Sequence, residues 1–253
     1  MRVLFLGNNW LGLQILQWLK AEHEEIVGVV LHPPKRQRYG YELIAAADAV
    51  PVFDGSRLRE PNILESIRKL GCDIAVSVLF GYILRPDFLK LAPSGCINLH
   101  PSLLPYNRGA HPNVWSIIEG TPAGATLHYI DEGIDTGDII AQREVAVESI
   151  DTGETLYRRL EWASLELFKE TWPNLRDGSV RRFAQSSAAG TSHHVGDLER
   201  IDEIDLEASY KAKDLINLIR ARTFSPYPGA YFRSNGRKVF LRLELAHDQP
   251  GKS

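Results

Sequence analysis

Apolar residues fall into short continuous runs separated by polar or glycine-containing turns, a pattern that predicts a mostly parallel β-sheet. Strands covered by helices on both faces read as near-continuous apolar runs. The runs of this kind are Arg2–Leu6, Glu25–Leu31 and Asp73–Leu79. Between the first two, apolar residues return at helical spacing from Leu11 to Leu19, which predicts an amphipathic helix. A strand, a turn, a helix and a second strand in this order indicate an α/β protein.

The remaining periodicity predicts a Rossmann-like α/β domain with helices on both faces of the sheet. Further strands are predicted at Pro51–Phe53, Cys96–His100, Ala125–Ile130 and Ile139–Val147. Further helices are predicted at Tyr41–Ala49, Asn62–Leu70, Asp87–Leu91, Pro112–Glu119, Asp151–Thr171 and Asp205–Ile219. The helix from Asp151 should start at a cap formed by Asp151 or Thr152 and end before Pro173.

The last third of the chain changes character and predicts a small α+β appendage. Arg181–Phe183 predicts a short strand, and Asn235-Gly236 predicts a hairpin turn between strands at Ala230–Arg233 and Lys238–Leu243. We therefore expect a catalytic domain over residues 1–180 and a C-terminal subdomain over residues 181–253, and exposed apolar residues of the hairpin suggest a homodimer formed through this region.

Composition and charge narrow the classes of partner. The 253 residues are 44% hydrophobic and carry a formal net charge of −3, so nothing indicates attraction to nucleic acid or to anionic membranes. Cys72 and Cys96 have neither metal-ligand spacing nor a disulfide framework, and both lie in apolar segments. The N-terminus has no cleavage signal and no membrane span. We expect a cytoplasmic protein.

The first turn resembles a nucleotide site only superficially. Gly7–Gly12 lacks the G-x-G-x-x-G fingerprint and the lysine of a phosphate loop, which argues against an NAD-dependent oxidoreductase or an ATP site. Asn8 and Trp10 follow the first strand and are candidates for substrate contact, and packing of the turn explains them equally well. His193-His194 lacks a third ligand, so no metal is expected.

The strand Cys96–His100 carries the candidate chemistry. Side chains alternate along a strand, so Asn98 and His100 point to the same side at the strand's end. A second strand leads into an acidic loop that contains Asp135, which can reach the imidazole if the two strands are neighbours. An amide donor, a base and a carboxylate suit acyl transfer to an amine without a serine or cysteine nucleophile.

Four segments together resemble the formyltransferases that use N10-formyltetrahydrofolate. They are Asn98–Pro105, Arg108–Gly109, Gly124–His128 and Asp131–Gly137, in the order and spacing of that family. The resemblance implies that Asn98, His100 and Asp135 form the catalytic triad. It also implies that the co-substrate N10-formyltetrahydrofolate lies between two loops. The residues implied to contact it are Phe80, Tyr82, Ile83, Leu84, Leu104, Ile130, Asp131 and Glu132.

Within that family the resemblance admits glycinamide ribonucleotide, methionyl-tRNA and nucleotide-linked amino sugars as acceptors. The short appendage and the acidic balance favour sugar N-formyltransferases, which act on dTDP- or GDP-linked 4-amino-4,6-dideoxy sugars for surface polysaccharides such as lipopolysaccharide O-antigen. The candidate acceptor contacts are Asn8, Trp10, Tyr106, Arg108, Arg222 and Tyr227. A methionyl-tRNA formyltransferase and a non-catalytic nucleotide-sugar binding protein remain alternatives.

Overall fold

The structure is a computed structural model that describes residues 1–186 and 190–248, and its centre is a seven-stranded sheet. The strand order is β3-β2-β1-β4-β5-β7-β8. These strands are β1 (Arg2–Gly7), β2 (Glu25–Leu31), β3 (Val52–Asp54), β4 (Ile74–Val78), β5 (Cys96–His100), β7 (Ala123–Tyr129) and β8 (Ile139–Val145). The first five are parallel, and β7 and β8 are antiparallel to their neighbours. The Rossmann-like α/β prediction is therefore confirmed.

Helices cover both faces of this sheet. They are α1 (Asn9–Ala21), α2 (Gly40–Ala47), α3 (Pro61–Leu70), α4 (Pro86–Leu89), α5 (Pro112–Glu119) and α6 (Gly153–Arg176). Two further helices, α7 (Asp197–Ile201) and α8 (Ala212–Ala221), share a separate cluster of buried residues with α5 and α6. Val3 and Phe5 join the core beneath α1, α2 and α6, whereas Leu4 and Leu6 join the core beneath α3 and α4. This alternation is the two-residue period of a strand buried on both sides. No helix within residues 1–186 and 190–248 is long and apolar enough to cross a membrane.

The long helix α6 continues past the proline at which we expected it to end. It begins at a capping box formed by Thr152 and Thr155, and Pro173 lies inside it. Proline removes one hydrogen bond and disfavours a helix interior. Here the last turn is held by tertiary packing, because Trp172 is only 1% exposed and its Nε1 donates to Glu24 Oε1 at 2.8 Å.

Two predictions in the last third were also wrong in extent. The expected helix Asp205–Ile219 is only α8, because Asp205 starts a turn in which its carboxylate accepts from the N–H of Glu207. The expected strand Arg181–Phe183 is a single bridge between Phe183 and Ile139. The predicted hairpin is confirmed as β10 (Tyr231–Ser234) and β11 (Arg237–Phe240).

One small sheet lies close to the catalytic loops. The two-residue strands β6 (Arg108–Gly109) and β9 (Ser192–His193) pair in parallel. Gly109 has φ +85°, and a Cβ there would lie 2.3 Å from the carbonyl oxygen of His193, so only glycine allows this approach. The pairing brings the segment after α6 against the loop that follows β5.

Candidate active site

A cavity of about 640 Å³ opens at the carboxyl ends of β4 and β5, where open α/β sheets bind ligands. Its walls come from the loop after β4, the end of β5, the loop after β7 and the segment before α5. The lining includes Ser77, Phe80, Tyr82, Ile83, Leu84, Asn98, His100, His111, His128, Ile130, Asp131, Asp135, Tyr157 and His193. The three residues predicted to form the triad therefore line one cavity.

Asn98 lies in a row of polar side chains that crosses three strands. Ser77 of β4 and His128 of β7 are its register partners on either side. The Ser77 hydroxyl donates to Asn98 Oδ1 at 2.9 Å, while Asn98 Nδ2 lies 3.3 Å from His128 Nε2. Because the carbonyl oxygen is occupied by Ser77, the amide presents its Nδ2 donors away from β4, towards His128 and Asp135.

His100 has one ring nitrogen fixed and the other turned to the carboxylate. Its Nε2 lies 3.1 Å from the carbonyl oxygen of Asn107, which only accepts, so Nε2 carries the proton in the neutral ring. Nδ1 therefore holds the lone pair and lies 3.6 Å from Asp135 Oδ2. A proton accepted at Nδ1 would be stabilised by that carboxylate.

Asp135 lies at the centre of these groups. Its backbone is left-handed, with φ +53°, and its Oδ2 accepts from the N–H of Gly109 at 2.9 Å. Oδ1 lies 3.5 Å from His128 Nε2 and 3.4 Å from Asn98 Nδ2. Burial alone would raise the pKa of this carboxyl group, but His100, His128 and the Gly109 N–H together hold the pKa well below its usual range. Asp135 is therefore ionised at neutral pH.

The residues expected to contact the folate fall into two groups. Phe80, Tyr82, Ile83, Leu84, Ile130 and Asp131 line the cavity. Leu104 and Glu132 are not among its lining residues. Leu104 is 2% exposed, and its backbone bonds to Thr126 and Gln142 below the loop, while Glu132 is exposed to solvent.

A buried histidine supports the loop after β4 from behind. His32 stacks on Phe80 with ring centroids 5.3 Å apart, and the N–H of Gly81 donates to its Nε2 at 3.1 Å. Burial lowers the pKa of His32, so the ring is neutral and keeps the lone pair that Gly81 needs. No pattern in the sequence indicates this role, because the contact joins two loops far apart in the chain.

Of the six residues expected to contact the acceptor, none is among the residues that line this cavity. Three of them are engaged close to the first turn and its neighbouring loop. Asn8 accepts from the N–H of Arg38 and bonds His32, Trp10 packs edge-on against Trp162, and the Tyr227 ring lies under the Arg38 guanidinium.

The other three lie further along the chain. Tyr106 is half-buried in the turn after Leu103. Arg108 donates to Gln185 Oε1 at 2.7 Å, and Arg222 forms a two-point ion pair with Asp202. Each of these two guanidinium groups therefore has a partner inside the chain.

The His193-His194 pair takes no part in a metal cluster. The His193 ring stacks on Trp115 with centroids 4.0 Å apart, and its Nε2 faces Glu119 at 3.2 Å. In the part of the chain that the structure describes, no group of three histidine, cysteine or acidic side chains could hold a metal ion.

Comparison with known proteins agrees with this geometry. The formyl transferase family model matches residues 1–171, and the N-formyltransferase dimerization C-terminal domain matches residues 197–247. A methionyl-tRNA formyltransferase of Geotalea daltonii is 32% identical over 262 residues, which span 99% of this chain and 82% of that protein.

Two solved structures extend the likeness to three dimensions. A 4-N formyltransferase from Francisella tularensis superposes with a TM-score of 0.83 at 28% identity, covering 98% of each chain. The formyltransferase PseJ from Anoxybacillus kamchatkensis, solved with UDP-4,6-dideoxy-4-formamido-L-AltNAc and tetrahydrofolate, is 34% identical with a TM-score of 0.57, covering 79% of this chain and 89% of that one. The chain thus belongs to the formyltransferase family and is an N-formyltransferase.

Proposed function

We propose that this enzyme transfers the formyl group of N10-formyltetrahydrofolate to the amino group of a nucleotide-linked 4-amino sugar. The observation that carries the proposal is that Asn98, His100 and Asp135 line one cavity. Apolar and aromatic side chains line the same cavity, with Phe80 and Leu84 on one loop and Ile130 on another. A flat heterocycle fits such a slot when backbone groups edge it.

The three polar residues divide the chemistry between them. The bound folate supplies the formyl carbon and leaves as the N10 amine. Asn98 Nδ2 donates to the oxygen that becomes negative when the acceptor amine adds to that carbon. His100 Nδ1 takes the amine proton, directly or through a water, because Nε2 is already committed to Asn107.

Asp135 stabilises the charge that this proton creates. Its Oδ2 faces the Nδ1 of His100, and its own low pKa keeps it ionised through the step. The proton then passes from the imidazolium to the leaving N10 nitrogen, so the nitrogen–carbon bond to the folate breaks as the new amide is completed. His100 returns to its neutral form for the next turnover.

The acceptor class rests on two supports. The 4-N formyltransferase of Francisella tularensis matches 98% of this chain in three dimensions, and PseJ is solved with a 4-formamido sugar nucleotide. The net charge of −3 also leaves no surplus of positive charge for RNA phosphates. A second candidate acceptor is initiator methionyl-tRNA. It is favoured by the Geotalea daltonii relative at 32% identity, which is named a methionyl-tRNA formyltransferase.

We further propose that the enzyme is a homodimer joined through its C-terminal region. The region matches an N-formyltransferase dimerization domain, and the hairpin strand β11 exposes apolar surface at Val239 and Phe240, which are 39% and 49% exposed. Light scattering on the protein, with Phe240→Glu as the variant, tests the dimer: we expect the molar mass to fall by half.

The decisive experiment is a panel of acceptors with mass-spectrometric readout. The enzyme is incubated with N10-formyltetrahydrofolate and dTDP-, GDP- or UDP-linked 4-amino sugars, with initiator methionyl-tRNA alongside and Asp135→Asn as the inactive control. One added formyl group on a sugar supports the proposal. Formylation of the tRNA alone would transfer the assignment to the second candidate. A sugar that binds tightly without reacting would instead favour a non-catalytic binding protein.

A further inference from the structure

Residues 181–185, which neither family model matches, lie against the loops around the site. Residues 172–196 belong to neither match, and Phe183 within them pairs with Ile139 through hydrogen bonds of 2.8 and 2.9 Å. The Arg182 guanidinium lies 3.7 Å above the ring of Tyr129. These contacts fix the path of the chain and deliver Gln185 to the loop that holds Asp135.

Gln185 then makes four short contacts with its single amide group. Its Nε2 donates to the carbonyl oxygens of Asp135 and Gly137, each at 2.8 Å. Its Oε1 accepts from Arg108 Nε at 3.2 Å and from an Arg108 terminal nitrogen at 2.7 Å. Arginine only donates and the two carbonyls only accept, so the amide can be oriented in one way only.

We propose that Gln185 is a positioning residue that holds Asp135 in its catalytic geometry. This inference rests on the proposed role of Asp135 in proton transfer. Gln185 touches neither the cavity nor the reacting atoms, since it is absent from the cavity lining. It acts by fixing the carbonyl group of Asp135, and with it the left-handed backbone from which the carboxylate points to His100.

The same amide also fixes the second anchor of that carboxylate. Asp135 Oδ2 accepts from the N–H of Gly109, and Gly109 follows Arg108, which Gln185 holds. One side chain therefore ties together the backbone of the acidic loop and the strand that donates to its carboxylate. Without it, the left-handed conformation at Asp135 would lose a restraint that non-glycine residues need.

The first test is the steady-state kinetics of Gln185→Ala. A shift of about 1 Å in a catalytic group costs on the order of 100-fold. We expect kcat to fall about 10- to 100-fold while KM for N10-formyltetrahydrofolate and for the acceptor stays within about twofold. The matched control is Gln17→Ala on the exposed face of α1, which should behave like the wild type. A Gln185→Ala enzyme with unchanged kcat overturns the proposal.

Gln185→Glu separates the contact with Arg108 from the contacts with the two carbonyl groups. A glutamate keeps the shape and can still accept from Arg108, but it directs a second oxygen at the carbonyls of Asp135 and Gly137. We expect Gln185→Glu to lose as much kcat as Gln185→Ala or more. Activity near wild type in this variant would mean that Gln185 serves only to hold Arg108, and the proposal would be wrong.

The split between kcat and KM distinguishes positioning from general loss of structure. A displaced Asp135 carboxylate lowers kcat in Gln185→Ala and leaves both substrate sites formed, whereas a loosened structure would also raise both KM values. Circular dichroism reports whether each variant folds, and if Gln185→Ala does not, Gln185→Glu decides alone. Loss of turnover in Asp135→Asn with full activity in both Gln185 variants would sink this inference only, whereas activity in Asp135→Asn would sink the proposed mechanism.

Discussion

The residues predicted to contact the formyl donor (the donor side) and those predicted to contact the acceptor (the acceptor side) differ in where the structure places them. On the donor side, Phe80, Leu84 and Ile130 line the cavity next to a polar row held in register by the sheet. On the acceptor side, Arg108 and Arg222 are already paired with Gln185 and Asp202. The register of the sheet fixes the side chains of the polar row towards the cavity. The two long arginine side chains reach partners elsewhere in the chain instead.

The largest effect should come from Asp135→Asn, which tests the carboxylate of the proposed catalytic triad. The amide keeps the shape but cannot stabilise an imidazolium, so we expect kcat to fall on the order of 10³-fold or more. The Kd for tetrahydrofolate should stay within about threefold, because in the proposed complex apolar side chains and backbone groups hold the pterin. Asp177→Asn, at the exposed end of α6, is the matched control. Turnover within tenfold of wild type would contradict the triad.

Ser77→Ala should produce a smaller loss than Asp135→Asn. It removes the hydroxyl that occupies Asn98 Oδ1 and lets the amide turn its donors away from the formyl oxygen. We expect kcat to fall about tenfold, with the free energy of unfolding lowered by about 1 kcal/mol for the lost hydrogen bond.

Ser164→Ala is the matched control for that experiment. Ser164 is equally buried, on α6, and its Oγ has no hydrogen-bond partner within the described ranges 1–186 and 190–248. Its removal should leave kcat unchanged and stability unchanged or higher, since no bond is lost. If both serine variants lose activity alike, the row across the sheet does not orient Asn98.

A smaller effect should appear as a pH dependence of donor binding through His32. Its pKa is lowered by burial, with Arg36 and Asp54 as the nearby charges, so the neutral ring is the folded form. As pH falls through this lowered pKa, Nε2 gains a proton and no longer accepts from Gly81. We expect the Kd for tetrahydrofolate to rise several-fold between about pH 7 and pH 5, measured by calorimetry.

The sign of the stability change follows from the same pKa. The unfolded ring takes up a proton near pH 6.5, above the folded pKa, so the free energy of unfolding falls as pH drops from about 6.5 to the folded value. His32→Phe removes the titration and keeps an aromatic ring beside Phe80. Its donor affinity should be weaker at pH 7 and should change less with pH, and a slope equal to that of the wild type would exclude His32 as the source.

The parts of the site that the sequence predicts are those with a local signal. Alternation along Cys96–His100 places Asn98 and His100 together, and the family-like motif adds Asp135. Ser77 carries no such signal, because it lies inside the apolar run of β4 and meets Asn98 only through strand register. Gln185 and His32 act from about 50 residues away, and their partners include backbone groups that any residue could supply.

The fold also has parts that the sequence predicts and parts that it does not. Strands and most helices follow from periodicity, while the last turn of α6 persists through Pro173 because Trp172 packs into the core. The helix expected from Asp205 is shortened to α8 by a local turn at Asp205, where the side chain competes for the backbone. Tertiary packing and side-chain-to-backbone bonds are the two effects that a hydrophobic pattern does not contain.

The smallest expected effect concerns Arg222 on the acceptor side. The experiment asks whether its guanidinium binds the acceptor or only stabilises the fold through its ion pair with Asp202. Both side chains of its pair with Asp202 are mostly buried, at 12% and 14% exposed. If the pair is structural, Asp202→Asn should lower Tm by about 2 to 4 °C, as expected for a loss of about 1 kcal/mol in a chain of this size, and leave KM for the sugar nucleotide unchanged.

A free guanidinium would behave differently. If Arg222 binds the diphosphate of the acceptor, Asp202→Asn releases it from its partner and should lower KM, while Arg222→Lys should raise it. The double variant Asp202→Asn with Arg222→Lys then separates the two effects, because a structural pair gives coupling in Tm and none in KM. We expect coupling in Tm alone. Acceptor recognition would then depend on side chains other than Arg222.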